Sequence, residues 1–575
     1  MQQTAPTILN SALRQSRVGL VGTAVFSMFI NLLMLAGPIY MLQVYDRVLP
    51  SKSIETLVAL SLLLIGLFII SGCLELVRVR LLSRAGSRLE ARVAPAVFDA
   101  SVRKRIASTN DDGADPLADL SSIRDFLAGN GLPAFFDLPW VPIYLVILAL
   151  LHPVLGLLGS GGAVFLFGLA WINNQLTQAP TAKYAETINL GHVLAKAGQS
   201  NAEVLRAMGM AHSVRRLWLS IHRKADAFKT KATDRSGAFS VVSKTSRLAL
   251  QSAALGIGAA LVVADQLSAG AMIAGTIILG RGLAPIDQSI AHWRGLIAAK
   301  ASFARLELLL SAYPEAAVKL SQGRVSKSVS VERVYAGPPG AQKAIVSGID
   351  FSLRAGDALA ILGPSASGKS TLAKLLAGIW LPQSGKVRLD AAALDQFNNE
   401  ELGNQIGYLP QEVELFEGTL AQNIARFQTD ATDMEIIAAA ESAGVHEMIL
   451  QLPDGYETNI GKAGRRLSGG QRQRIGLARA LFREPFLVIL DEPNANLDAN
   501  GDMALMGAIS SIKTRGGVVI VITHRPGFVD GVDFALVLDG GRQRTFGPVA
   551  DVLAPTSKPS AAAVSNVMPL AKLVT

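Results

Sequence analysis

The residues with the plainest chemistry are Gly363, Pro364, Ser365, Ala366, Ser367, Gly368, Lys369 and Ser370, which follow the spacing G-x-x-x-x-G-K-S. They lie between an apolar strand, Ala358 to Leu362, and a helix expected from Thr371 to Gly378. Glycines at those places let successive backbone N–H groups surround a phosphate, and the helix points its positive end at the same anion. In such a loop Lys369 reaches the β- and γ-phosphates of ATP and the Ser370 hydroxyl sits on Mg²⁺, with Thr371 completing the nucleotide-facing set.

A second group carries acid–base chemistry. Phe486 to Leu490 read as a buried parallel strand, so Asp491 emerges at its carboxyl end, where open α/β sheets place ligands. Asp491 is then a Mg²⁺ ligand acting through water. Glu492, one residue on, points elsewhere and can take a proton from an attacking water; a structural salt-bridge role is the lesser reading, given its neighbours. Gln411, in Tyr408-Leu409-Pro410-Gln411, and His524, in Ile522-Thr523-His524, each follow an apolar strand. Either alone reads as an ordinary loop or capping residue.

Leu467-Ser468-Gly469-Gly470-Gln471, between the phosphate loop and the Asp491-Glu492 strand, completes an ordered set. With it, residues from Val329 to Leu553 resemble an ABC nucleotide-binding domain over its whole length. That resemblance implies that Gln411 senses the γ-phosphate and touches Mg²⁺, that His524 holds the γ-phosphate, and that Asn496-Leu497-Asp498 forms a subunit-bridging loop. It also implies that Ser468 and Gly470 contact ATP bound to the opposite subunit. Each catalytic site then needs two such domains; the chain carries one, so the resemblance implies a half-transporter working as a dimer.

The sequence departs from that family at two places. Relatives stack adenine on an aromatic residue shortly before a Pro-Gly turn; here Pro338 holds the expected position before Pro339-Gly340, and Tyr335, three residues earlier, is the stacking candidate. The stretch Ile460-Gly461-Lys462-Ala463-Gly464 lacks the acidic residue that many relatives carry.

Something must anchor this engine, and composition says what. The chain has 575 residues, of which 50% are hydrophobic and 17% charged, and its mean hydropathy is +0.35. That balance is too apolar for a wholly soluble enzyme of this size, so lipid is part of its surroundings. The net charge of +9 is scattered beside apolar spans and forms no basic stripe with aromatic residues, which argues against nucleic acid. The lone cysteine, Cys73, excludes an intrachain disulfide.

Six apolar spans are expected: Val18 to Gly37, Leu57 to Leu76, Leu132 to Leu151, Val154 to Ile172, Leu248 to Ala264 and Gly270 to Ile286. Arg14 and Arg17 place the amino terminus in the cytoplasm, and Arg78, Arg80, Arg84, Arg88 and Arg92 mark the inner side again after the second span. Asp46, Arg47, Lys52 and Glu55 balance, as in an outer loop, and His152-Pro153 leaves room only for a tight outer turn. Between about Asn173 and Arg247 long helices should return to the cytoplasm. Gly256, Gly258, Gly270, Gly275 and Gly280 permit close helix packing. Asp137 reads first as an interfacial anchor beside Trp140, and second as part of a substrate entrance.

The fold class is therefore an α-helical six-span transmembrane domain fused to an α/β nucleotide-binding domain. Its expected parts are a cytoplasmic tail over 1–17, the membrane domain over 18–310, a linker over 311–328, the ATPase over 329–553, and a Ser-, Pro- and Ala-rich tail over 554–575. With 17 residues before the first span, no peptidase domain, which needs on the order of 100 residues, is expected there. Stretches near Asp112 to Asp125 and Asn201 to Trp218 are the candidates for helices that dock on the ATPase.

Asn31 to Pro50 and Phe135 to Tyr144 resemble a narrower family, the permease/ATPase of type I secretion systems, in the branch exporting proteases, RTX proteins, haem-binding proteins and S-layer proteins. The resemblance spans nearly the entire chain. It implies an exporter in the bacterial inner membrane, surrounded by membrane lipids, that moves unfolded proteins bearing an uncleaved carboxyl-terminal signal. It also implies a homodimer working with a periplasmic adaptor (a membrane fusion protein) and a TolC-like outer-membrane duct. An exporter of lipids or small amphiphiles would share every ATPase motif and is the alternative.

Overall fold

A computed structural model of the chain describes residues 8–107, 115–129, 131–315, 319, 321–341, 343–461, 464–495, 497, 499–523 and 531–552. The expectations for Lys462, Asn496, Asp498 and His524, and for the tail from 554, lie outside the described residues. The chain divides into two compact units, one formed by Met1–Arg105 and Asn110–Glu315, the other built mainly from Ala316–Thr575.

Among the described residues of the first unit, six helical stretches are long and apolar enough to cross a membrane, in the order expected from the sequence. Lipid offers no partner to a backbone N–H or C=O, so each crossing closes its own hydrogen bonds as a helix. The helices run well past the apolar spans: Ile54–Ala107 has 54 residues, Pro153–Ser200 has 48 and Ala211–Val263 has 53. At 1.5 Å per residue the first is about 80 Å long, more than twice a ~30 Å hydrocarbon layer. The polar segments read as returning to the cytoplasm are thus continuous with the spans. The stretch from Asn201 to Trp218 breaks this run, with a short helix at Ala202–Ala207 before Ala211–Val263 begins. Residues 115–125 hold the start of another helix, Pro116–Ala128, capped by the Asp115 carboxylate.

Several local expectations change. The first span starts earlier, at Ile8, and continues through Ala36–Gln43 into a π-helical turn, Val44–Val48. The wider turn sets Asp46 against the start of the last membrane helix. There its Oδ1 accepts from Gly270 N at 2.8 Å and its Oδ2 from Ser268 Oγ at 2.5 Å. The third span is interrupted where Pro139 and Pro142 fall, giving Gly131–Asp137, a 3₁₀ turn at Leu138–Trp140, and Val141–Leu151. His152 makes the tight link, its Nδ1 accepting from Val154 N at 3.3 Å. Of the small residues, Gly258, Gly270, Gly275 and Gly280 lie against neighbouring helices, whereas Gly256 faces open space.

Asp137 is no interfacial anchor. Its carboxylate accepts from Asn31 Nδ2 at 2.8 Å and pairs with Arg78 Nη1 at 3.2 Å. Arg78, counted from the sequence among the inner-side charges, is only 6% exposed, and it also donates to Ser27 Oγ at 3.0 Å and to Glu75 Oε1 at 2.8 Å. Tyr144 Oη donates to the Asn31 carbonyl at 2.8 Å. A charge removed from water persists in such a place because an opposite charge and several hydrogen bonds surround it.

The second unit is an α/β domain around a ten-stranded sheet: β1 Ser328–Ala336, β2 Val346–Arg354, β3 Ala358–Leu362, β4 Ser384–Leu389, β5 Ala392–Ala393, β6 Ile406–Leu409, β7 Leu487–Asp491, β8 Val518–Ile522, β9 Phe534–Asp539 and β10 Arg542–Pro548. Their order across the sheet is β5-β4-β1-β2-β10-β9-β3-β8-β7-β6. β7 as far as Leu490, and the whole of β8, are unbroken apolar runs buried on both faces, as parallel strands between helical layers must be. β3, β8, β7 and β6 are parallel neighbours, so the loops leaving their carboxyl ends share one edge of the sheet.

Candidate functional site

Those four loops carry the residues singled out in the sequence. After β3 comes the phosphate loop, after β8 Thr523, which His524 follows in the sequence, after β7 Asp491 and Glu492, and after β6 Gln411. Gly363 has φ +153°, and a Cβ there would stand 2.3 Å from the Leu538 carbonyl oxygen, so no other residue fits. The loop ends at Gly368, the residue preceding the helix Lys369–Leu376, which starts two residues earlier than the sequence suggests.

Lys369 is 5% exposed. Its ammonium donates to the carbonyls of Gly363 at 2.9 Å and Pro364 at 2.8 Å. Burial lowers its pKa, an effect opposed by the nearby Glu492 and Asp491 carboxylates. Asp491 shows the converse: burial raises its carboxyl, and a hydrogen bond from Ser370 eases it back. Asp491 Oδ1 and, in the loop, Ser367 Oγ are buried and have no hydrogen-bond partner among the described residues. An orphaned carboxylate oxygen joined to a serine hydroxyl is an all-oxygen donor set that suits a hard cation such as Mg²⁺, and the orphaned Ser367 hydroxyl suits a phosphate oxygen.

Glu492 leaves the strand with φ +50°, a left-handed conformation that sends its side chain away from Asp491. Its amide donates to Ile522 O at 3.0 Å. Gln411 Nε2 donates to its Oε2 at 2.9 Å, which brings the ends of β6 and β7 together. Thr523, 1% exposed, closes the β8 end with its amide 3.4 Å from Ile361 O. Tyr335 stands half-exposed on β1 opposite Ser347, next to Val346, whose side chain lies under Gly368.

The Leu467–Gln471 segment is built differently. Ser468 caps the helix Gly469–Leu481: its Oγ accepts from Gln471 N at 3.2 Å, and Gln471 Oε1 accepts from Ser468 N at 2.8 Å. Among the described residues no hydrogen bond joins this segment to the phosphate loop. Sequence reasoning passed over two residues further along that helix. Gln473 Nε2 donates to Pro493 O at 3.1 Å, and Arg479 Nη1 donates to Glu414 O at 2.9 Å. Both bond to backbone carbonyls, and Gln473, five residues after Ser468, does not share its helix face, so side-chain spacing gave no signal for them.

Comparison with known proteins agrees with this geometry. Residues 346–495 match the ABC transporter family and residues 20–280 the ABC transporter transmembrane region. The chain is 46% identical to a type I secretion system ATP-binding protein, PrsD, of Rhizobium meliloti, over 96% of this chain and 94% of that one. It is 28% identical to the leukotoxin translocation ATP-binding protein LktB of Mannheimia haemolytica, over 90% of this chain and 74% of that one. In fold it is similar to a bacterial Atm1-family ABC exporter solved with ATP bound, with a TM-score of 0.79, 22% identity, and coverage of 93% of this chain and 96% of that one.

Proposed function

The chain belongs to the ABC transporters of type I secretion systems, and from that premise we propose that it drives unfolded proteins with an uncleaved carboxyl-terminal signal out of the cell. It is a multi-pass membrane protein that binds ATP and couples its hydrolysis to transport. The observation that carries the choice of cargo is the 46% identity to a type I secretion protein along nearly its whole length.

The proposed assembly is a homodimer in the bacterial inner membrane, with the amino terminus and the ATPase unit, taken as 329–553, in the cytoplasm. A periplasmic adaptor and an outer-membrane duct continue the path. In each site the loop from Gly363 to Ser370, with Thr371, cradles the phosphates of ATP through its amide N–H groups, which Pro364 lacks, Lys369 compensates the β- and γ-phosphate charge, and Tyr335 lies against adenine. Ser370, Asp491 and Gln411 would hold Mg²⁺, which would supply positive charge to neutralise the phosphates. Ser468 and Gly470, with Asp498 in the bridging loop, close over the nucleotide of the opposite subunit.

Glu492 takes a proton from the attacking water as the water oxygen bonds to the γ-phosphorus. The bond from that phosphorus to the β–γ bridging oxygen breaks, and ADP and phosphate leave, with His524 steadying the transferred group. ATP binding draws the two ATPase units together and hydrolysis frees them, so the long helices carry that movement into the membrane.

Purified dimer in nanodiscs tests the cargo. Its ATPase should respond saturably to the carboxyl-terminal signal peptide of the secreted protein. Insensitivity to that peptide, with saturable stimulation and measured translocation of a lipid, overturns the assignment.

A further inference from the structure

The helix Gly469–Leu481 touches both loops that carry Gln411 and Glu492. Arg479 donates to the Glu414 carbonyl, and a Cβ on Gly476 would lie 2.7 Å from the Val413 side chain. At the other loop Gln473, 2% exposed, donates to the Pro493 carbonyl at 3.1 Å. Pro493 directly follows Glu492 and is buried, so its carbonyl needs a partner.

Glu492 sits in an unfavourable backbone conformation, φ +50°, which persists only where its surroundings hold it. Two of the bonds that do so belong to the sheet and the turn itself, Glu492 N to Ile522 O at 3.0 Å and Ala495 N to Glu492 O at 3.2 Å. The Gln473 bond is different in kind, because it comes from the helix that Ser468 caps.

We propose that Gln473 is a positioning residue: through the Pro493 carbonyl it sets Glu492, passing the seating of Ser468 on the opposite subunit's nucleotide to the general base of its own subunit. This rests on the site roles proposed above. A helix is stiff along its axis, so a small displacement at its first turn reaches Gln473 with little loss. Each subunit's base is then set best, by on the order of 10-fold, when its own signature has engaged the other subunit's ATP, which ties the two hydrolysis events together without making either site silent alone.

Gln473→Met keeps the side-chain length and removes the donor. In the full-length protein in nanodiscs, kcat for ATP should fall on the order of 10-fold while KM for ATP stays within about twofold. Gln473→Glu should lose as much at about pH 8 and recover relative to wild type toward about pH 6, because a carboxyl in this buried position, 2% exposed as Gln473 is, is pushed up by burial and, once protonated, donates again. A purely structural defect would show no such pH-dependent recovery.

Mixed dimers locate the effect. With Gln473→Met and Glu492→Gln on one chain and a wild-type partner, activity should equal that of Glu492→Gln paired with wild type. With the two substitutions on different chains it should fall on the order of 10-fold further. The reverse pattern, equal activity in both pairings, unchanged kcat in the homodimer, or failure of both variants to fold overturns the proposal. If the reference pairing is itself silent, the homodimer kcat and its pH recovery decide. No secreted protein enters these assays, so failure of the secretion reading leaves them intact. Failure of the general-base role appears separately, as Glu492→Gln chains that still turn over.

Discussion

Gln411 and Glu492 are joined by a 2.9 Å hydrogen bond across 81 residues of sequence, Nε2 of the amide donating to Oε2 of the carboxylate. The contact exists because β6 and β7 are parallel neighbours that end at the same edge. It fixes one oxygen of the proposed base.

Glu492→Gln should therefore keep ATP binding and lose nearly all turnover, since the amide preserves shape but accepts no proton. General bases contribute roughly 10²- to 10⁴-fold. ATP-bound dimers should become long-lived. Retention of more than about a tenth of the wild-type rate in a steady-state ATPase assay contradicts the role.

Composite sites make a separate prediction. Lys369→Ala chains mixed with Ser468→Arg chains should give heterodimers in which both lesions fall on one nucleotide and the other site is whole. ATPase activity of the purified heterodimer should exceed that of either mutant homodimer, and activity no higher than theirs argues against shared sites or for strict coupling between them.

At Gly363, Gly363→Ala forces a Cβ to within 2.3 Å of the Leu538 carbonyl oxygen. The loop must shift, and affinity for an ATP analogue should fall by at least about 10-fold, since strain of roughly 1–3 kcal/mol is at stake. Unchanged binding in a nucleotide titration would mean that the loop adapts.

In the membrane unit, Arg78→Met leaves the Asp137 carboxylate buried with only Asn31 as a polar partner. Removing one member of a buried pair costs about 3 kcal/mol or more, whereas removing both is far milder. Thermal unfolding in nanodiscs should place Arg78→Met below the double variant Arg78→Met/Asp137→Leu. The opposite order contradicts a buried pair.

The phosphate loop and the Asp491-Glu492 strand were legible in the sequence because their chemistry is local: Gly363 and Lys369 are fixed by backbone geometry within a few residues. The six spans were legible for a similar reason, since hydropathy is a sum over neighbours. The partners of Arg78 were not legible because Asp137 lies 59 residues away, and a lone arginine after a span shows only its charge. The contact of Asp46 with Ser268 was not legible because a π-turn has no composition of its own. Gln473 escaped notice because its partner is a backbone carbonyl, which leaves no trace in side-chain spacing.

The most direct measurement follows a passenger protein bearing the cognate carboxyl-terminal signal in cells that supply the chain, its adaptor and the outer duct. The passenger should reach the medium without a periplasmic intermediate, and Glu492→Gln should abolish that release while leaving the chain in the membrane. Passenger retained in the cytoplasm by the wild-type chain, with the complete assembly present and ATP hydrolysed, would contradict protein secretion as its function.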